Sequence, residues 1–525
     1  MDEELSLDDP TQLLQSASDF AYYPGVQNDA AAKEFLDRYP LPLVINALQT
    51  KAEVPGLETT LVACLERIFK TRYGASLIPH FVSFVQIGLK ANSEVVKCLA
   101  CKTISCLLEH FNETPALAAQ LIIENDIYPL LLECLINGDE KVATESIEAI
   151  VKLAGSPQGV QIIFPANNSE VTHLANLSAR SSSLGRVRVL SLIVKLFSVS
   201  PYVASVVYNS NLLSLLEAEL RNTDDTLATL SVLELFYELS EIQHGTEFLS
   251  RTTLIQLLTS MISNSLMDAV LRSRAMMITG RLLAKENVLA FLDEFSVRTI
   301  ISAIDQRLGL GSEDLNECET ALEALGQIGS SYPGATLLLS ASPPAARHVV
   351  DAAFERQFHG RQLAALHSLG NISGENQSEG NIILNGDAED NLRRLVYETA
   401  SRSTKLTPSG LFLSVLKQDS EVRLAAYRMI SGLVARPWCL MEVCSKQEII
   451  DIVTDPATET TKIGMEGRHN CCKAIHKAFI SSVKLSSNPT LSGIATKLQE
   501  AVSRGPYLSA KLREAQPEVM TADRF

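Results

Sequence analysis

The apolar residues of this chain recur with a helical period, in blocks separated by polar breaks. The recurring frame is an apolar anchor, a small residue four positions on, apolar residues at +5 and +8, and apolar residues again at +11 or +12. A 3.6-residue period sets these positions on one stripe of a helix. Val96 opens the cleanest copy, followed by Ala100, Cys101, Ile104, Leu107 and Leu108. Val142 opens another with Ser146, Ile147, Ile150 and Leu153. Leu227 leads to Ser231, Val232, Leu235 and Leu239, and Val422 to Ala426, Tyr427, Ile430 and Leu433. From Leu271 the frame reads Ala275, Met276, Leu282 and Leu283, with Thr279 out of pattern. Frames with a polar anchor begin at Thr60, Thr320 and Arg361 and keep the later positions. The anchors at 96, 142, 227, 271, 320 and 361 lie 46, 85, 44, 49 and 41 residues apart, and the 85 divides near Val187 into 45 and 40.

Armadillo and HEAT repeats, built from two or three helices, run roughly 40 to 47 residues. Each repeat touches only its neighbours, so a chain of 525 residues can form one long array. The pattern therefore predicts an all-α fold, a right-handed α-solenoid of armadillo/HEAT-type repeats continuous over residues 21–516. The small residue at +4 marks where stacked helices cross closely and a large side chain would force them apart. Pro79 and Pro129 suit first turns of helices between the anchors, and Asn92-Ser93-Glu94 and Gly138-Asp139-Glu140 are breaks. The segment from His244-Gly245 through Phe248, Leu249, Leu254, Leu257, Leu258 and Ile262 completes a three-helix unit with the Leu227 helix. No strand-like alternation of useful length competes. Residues 1–20 read as a disordered acidic tail, Ser178–Ser183 as a polar connector, 387–410 as an irregular insertion and 517–525 as a loose tail.

Composition narrows the partners. With 46% hydrophobic and 20% charged residues the chain has ample surface to bury. A net charge of −16 argues against nucleic acid or an anionic membrane, both of which reward clustered Lys and Arg. The start, Met1-Asp2-Glu3-Glu4 and then Asp8-Asp9-Pro10, lacks the basic and apolar segments of a secretory signal. The most apolar stretch, Val187 to Tyr208, is interrupted by Arg188, Lys195 and Pro201 and reads as two packed helices. Ten cysteines without a regular framework suggest reduced thiols, which places the chain in the cytoplasm or also the nucleus.

Candidate chemistry is sparse. His469, Cys472 and His476, with Cys471 adjacent, have metal-ligand types at offsets of three and seven, but no fourth ligand follows at a recognised spacing. Cys98 and Cys101 lie within a repeat stripe and read as core thiols. Gly309-Leu310-Gly311-Ser312 lacks the strand and the Lys of a phosphate loop. No nucleophile elbow or zinc-protease motif occurs, so the residues predict no enzyme, no cofactor and no metal. In armadillo proteins the anchor helix lines the concave groove, so positions +6 and +10 should face a ligand. They are Glu66 and Lys70, Lys102 and Cys106, Glu148 and Lys152, Leu233 and Tyr237, Met277 and Arg281, His367 and Asn371, and Arg428 and Gly432. From these, Lys102, Lys152, Tyr237, Met277, Arg281, His367, Asn371 and Arg428 are the candidate partner-binding residues. The Trp and Asn ladder of importin-α-like adaptors is absent, since the chain has one Trp. A mixed groove of this kind suits a folded protein surface.

Several short motifs then resemble, in order and spacing, the armadillo-like proteasome non-ATPase regulatory subunit 5 family. They are Gln158-Gly159-Val160 ahead of Phe164, Ser198-Val199-Ser200-Pro201 after a repeat helix, His244-Gly245 before Phe248-Leu249, the Glu421–Leu433 helix running into Arg436-Pro437-Trp438, and Gly505-Pro506-Tyr507. The resemblance spans about residues 55 to 510 and is thin between 300 and 410. It implies an assembly chaperone of the 26S proteasome base. Such a protein binds the C-terminal domain of one ATPase-ring subunit and leaves before the mature particle forms. The resemblance does not carry contact residues one by one, and a generic scaffold or adaptor for another client is the alternative.

Overall fold

The structure is a computed structural model. It describes residues 10–507 except 27, 51–53, 166–172, 223, 243, 245–251, 310–313, 376–382 and 483–490. The expected tails at 1–9 and 517–525, Leu310–Ser312 of the Gly-rich stretch, and Gly245, Phe248 and Leu249 lie outside the described residues. Among the described residues all regular structure is helical, as expected. The chain divides into two compact units, Met1–Thr253 and Leu254–Phe525. Ten helices correspond to the repeating frame. In the N-terminal unit these anchor helices are α1 (Leu57–Phe69), α2 (Glu94–His110), α3 (Glu140–Leu153), α4 (Ser183–Val199) and α5 (Thr226–Glu241). In the C-terminal unit they are α6 (Ala269–Leu283), α7 (Leu315–Ile328), α8 (His359–Ile372), α9 (Ser420–Leu433) and α10 (Lys462–Ser481). Within each unit successive anchor helices pack on one another.

In the N-terminal unit the small +4 residue lies where the preceding helix crosses. A Cβ on Gly88, in helix Val82–Leu89, would stand 3.1 Å from the Ala100 Cβ of α2. Ser146 of α3 uses its small size differently, donating its Oγ to Leu131 O at 2.5 Å. Asp139 and Asp225 cap α3 and α5 by accepting the N–H groups of Val142 and Ala228, interactions worth about 0.5–2 kcal/mol each. The N-terminal tail is shorter than expected. Pro10–Ala21 is a helix that buries Leu13, Ala17, Phe20 and Ala21 and packs on α1. Its last carbonyls accept from Arg67 of α1, at 3.2 Å for Phe20 and 2.6 Å for Ala21. Leu13 and Ala17 repeat the anchor and small positions, a pattern that polar neighbours dilute.

In the C-terminal unit the anchor helices approach more closely. A Cβ on Gly280 of α6 would lie 2.8 Å from Ala324 Cα of α7, and one on Gly326 would lie 2.5 Å from Ser368 Cβ of α8. Thr279, out of pattern in sequence, is buried and donates to Ala275 O at 2.7 Å. The expected insertion at 387–410 is instead regular structure. Gly386–Arg402 is a helix capped by Asn385 and followed by Pro408–Leu416, so the long spacing between anchors 361 and 422 is a three-helix repeat with an extended helix. Glu389 of that helix receives Arg436 Nε at 2.8 Å, and Arg436 also donates to Ser373 O and Gly432 O. Trp438 packs on Tyr397 of the same helix with ring centroids 5.8 Å apart. At the end of the unit Gly505, at φ 83°, lets Pro506 turn back so that its carbonyl accepts from buried Arg468 of α10 at 3.1 Å.

Candidate partner-binding faces

The N-terminal unit presents a row of paired charges across its anchor helices. Lys102 of α2 reaches Glu66 of α1 at 2.8 Å and Glu145 of α3 at 3.9 Å. Lys152 of α3 bonds Glu109 of α2 and its own neighbour Glu148, both at 2.7 Å. Lys195 of α4 meets Glu238 of α5 at 2.8 Å. The expected Lys102 and Lys152 thus share one face, and each is already neutralised within the chain. Pairs this exposed contribute about 0–1 kcal/mol, so their main effect is to present alternating signs at fixed places. Tyr237 is half-buried on α5. Its frame slips by one: Leu227 is 76% exposed and Leu233 fully buried, while Ala228, Val232 and Phe236 face the core. Leu233 therefore does not face a partner, and the outward positions of α5 are Glu234 and Glu238.

In the C-terminal unit Met277 and Arg281 are half-buried on α6, where Arg274 Nη1 lies 3.9 Å from Met277 Sδ. The frame expected from Thr320 starts at Glu317 instead, which brings Glu323 and Gln327 of α7 to the positions that Met277 and Arg281 hold on α6. Glu317 is 1% exposed and held by Arg272 at 2.8 Å and Arg307 at 2.7 Å. A charged residue in an anchor position escapes an apolar reading. Burial opposes ionisation of Glu317, but the hydrogen bonds and charges of both arginines outweigh it and lower its pKa.

The structure brings His367, Asn371 and Arg428 together, with Glu375 as a fourth member. Arg428 donates from Nη1 to His367 Nδ1 at 2.7 Å, from Nη2 to Asn371 Oδ1 at 3.4 Å, and from Nε and Nη2 to Glu375 Oε2 at 3.1 and 2.8 Å. Burial, and then the Arg428 charge, hold the His367 pKa below the ordinary imidazole value. The ring is neutral and accepts, which fixes its proton on Nε2. Gly432, expected on this face, is buried; a Cβ there would stand 2.9 Å from the Ser373 Cβ.

Of the remaining candidates, Cys101, Cys471 and Cys472 face the core, while Cys98, His469 and His476 are half-buried. Cys471 and Cys472 are buried, and Cys472 Sγ lies 3.9 Å from Leu498 O. Burial raises both thiols, that of Cys472 to about 11. His469 is half-buried, its pKa lowered by burial and then by Lys473 and Arg468. Cys101 is buried, as is Cys134, whose Sγ is 3.4 Å from Leu89 O. All ten cysteines are free. Among the described residues no three His, Cys, Asp or Glu side chains gather as a metal site, and no helix is long and apolar enough to cross a membrane.

The chain is 21% identical over 464 residues to the human 26S proteasome non-ATPase regulatory subunit 5, covering 86% of each chain. Its identity to the bovine protein of the same name is 20% over 465 residues, again 86% of each. Among solved structures it is similar in fold to the karyopherin Kap121p bound to Nup53p, with 13% identity and a TM-score of 0.47 over 94% of this chain and 53% of that one. The sequence profile of the family described as proteasome non-ATPase 26S subunit matches residues 56–523, and the chain belongs to that family.

Proposed function

We infer that this chain is an assembly chaperone of the 26S proteasome regulatory particle base. It binds the C-terminal domain of one ATPase-ring subunit and is released before the mature proteasome forms. The observation that carries this reading is the family match over residues 56–523. The human and bovine relatives bear the name of a proteasome regulatory subunit. Two faces of ion pairs and hydrogen-bonding side chains support a role in binding rather than catalysis, and they suit a folded partner. The chain works as a monomer until it meets its client, in the cytoplasm and also the nucleus. Its net charge of −16 disfavours nucleic acid and anionic membranes. Pull-down of isolated C-terminal domains of each proteasomal ATPase by the full-length chain should retain one of them. Retention of none removes the reading, and native purification that returns other proteins would then favour a general armadillo-type adaptor.

A further inference from the structure

The Arg428 cluster is built unlike the buried arginine–glutamate pairs of its unit. In Arg272–Glu317 and Arg423–Glu459 the carboxylate side chain is 1% and 2% exposed and sealed in the core. Arg428 and Glu375 keep 31% and 21% exposure beside His367 and Asn371. Both Nε and Nη2 of Arg428 converge on a single oxygen, Glu375 Oε2. That edge of a guanidinium matches the two oxygens of a carboxylate in parallel, which is its stronger mode. Glu375 holds it in the weaker mode because the chain dictates where Glu375 sits. Gly374, at φ 83°, closes α8; Glu375 N bonds Gly370 O at 3.2 Å; and Gly432 leaves room, since a Cβ there would come within 3.2 Å of Glu375 N. Neutral His367 orients the opposite side of the guanidinium.

The geometry points to an exchangeable carboxylate site: Arg428 receives a carboxylate of the client, and Glu375 is the internal carboxylate that it displaces. This rests on the protein-binding reading above and adds the chemistry of one contact. The exchange leaves the charge at Arg428 balanced, because one anion replaces another. The incoming group, free of the turn, pairs both N–H donors with two oxygens, while Glu375 swings into water. An acidic side chain and a chain terminus share this chemistry.

The test titrates the full-length chain with three labelled peptides: octaglutamate with an amidated C-terminus, octaglutamine with a free C-terminus, and amidated octaglutamine. Glu375→Gln should bind at least one carboxylate-bearing peptide about tenfold more tightly than the native chain, through the two-oxygen pairing. Adding Arg428→Lys, which keeps the charge and loses the fork, should abolish the gain. A gain for octaglutamate alone assigns the site to acidic side chains, and a gain for free-terminus octaglutamine alone assigns it to chain ends. Equal affinities of the native and Glu375→Gln chains for every peptide overturn the proposal, as does an equal gain for amidated octaglutamine. None of the peptides contains ATPase sequence. A failed pull-down with a positive titration therefore removes the client and leaves the carboxylate site standing.

Discussion

Glu317 sits between Arg272 and Arg307 with almost no solvent, and the three side chains depend on one another. Glu317→Gln leaves two guanidinium groups without their counter-charge, and breaking a buried pair from one side costs about 3–5 kcal/mol. Chemical denaturation should register that loss, and an unchanged midpoint would mean the trio is not structural. His367 makes a pH-dependent contribution of known sign. Its folded pKa lies below the ordinary imidazole value, so the unfolded chain binds more protons as pH falls through about 6.5. Stability is lost in that window, and His367→Gln should melt with a shallower pH dependence between pH 7.5 and 5.5. Glycines supply a third residue-scale test. Thr71, Ser156 and Ser331 each accept the N–H of a Gly three residues on, and a Cβ on Gly74, Gly159 or Gly334 would lie 2.0, 1.7 or 1.9 Å from the carbonyl oxygen of Ile68, Leu153 or Ile328. This hydroxyl-x-x-Gly signal stood in the sequence and marks where the chain doubles back from an anchor helix. Gly159→Ala should cost at least about 1–3 kcal/mol by overpacking. Gly386→Ala, where nothing lies within 4 Å, should be neutral or stabilise by up to about 1 kcal/mol.

The anchor helices were legible because each has enough apolar residues for its period to show, even where the anchor is polar. Their register was less so. In α5 an exposed Leu227 stands one position before the buried Ala228, and in α7 the anchor position is the ion-paired Glu317. An apolar count admits the first and misses the second, and each error moves the outward positions to other residues. That is why Glu234, Glu238, Glu323 and Gln327 were not foreseen. The small +4 position carries its own prediction. Ala275 of α6 is fully buried, so Ala275→Trp should lower the melting temperature through a cost of about 1–3 kcal/mol. An unchanged melt would remove the steric reason for that position.

For the whole molecule, the two anchor-helix faces differ in how far their cations are committed. Lys102 and Lys152 are each held by two carboxylates, whereas Arg428 shares its donors among an acid, a neutral ring and an amide. The combination Arg281→Glu with Arg428→Gln should therefore weaken client binding about tenfold, with Lys152→Gln much less effective. Affinities alongside matched melting curves decide it, and equal binding by the double variant would move the interface off this face.

The repeating apolar period determined the class of fold and the helices that recur, because helical periodicity is written in local order. The motifs after α3, α4 and α9 determined the family resemblance. Tertiary structure alone decided the rest. It made Pro10–Ala21 part of the fold by giving its short apolar stripe α1 to pack on. It drew Glu389 and its helix inward through Arg436, and it joined His367, Asn371 and Glu375 to an arginine more than 50 residues away. Such contacts depend on which helices stack and how closely, and glycines such as Gly280, Gly326 and Gly432 set that distance by what they lack.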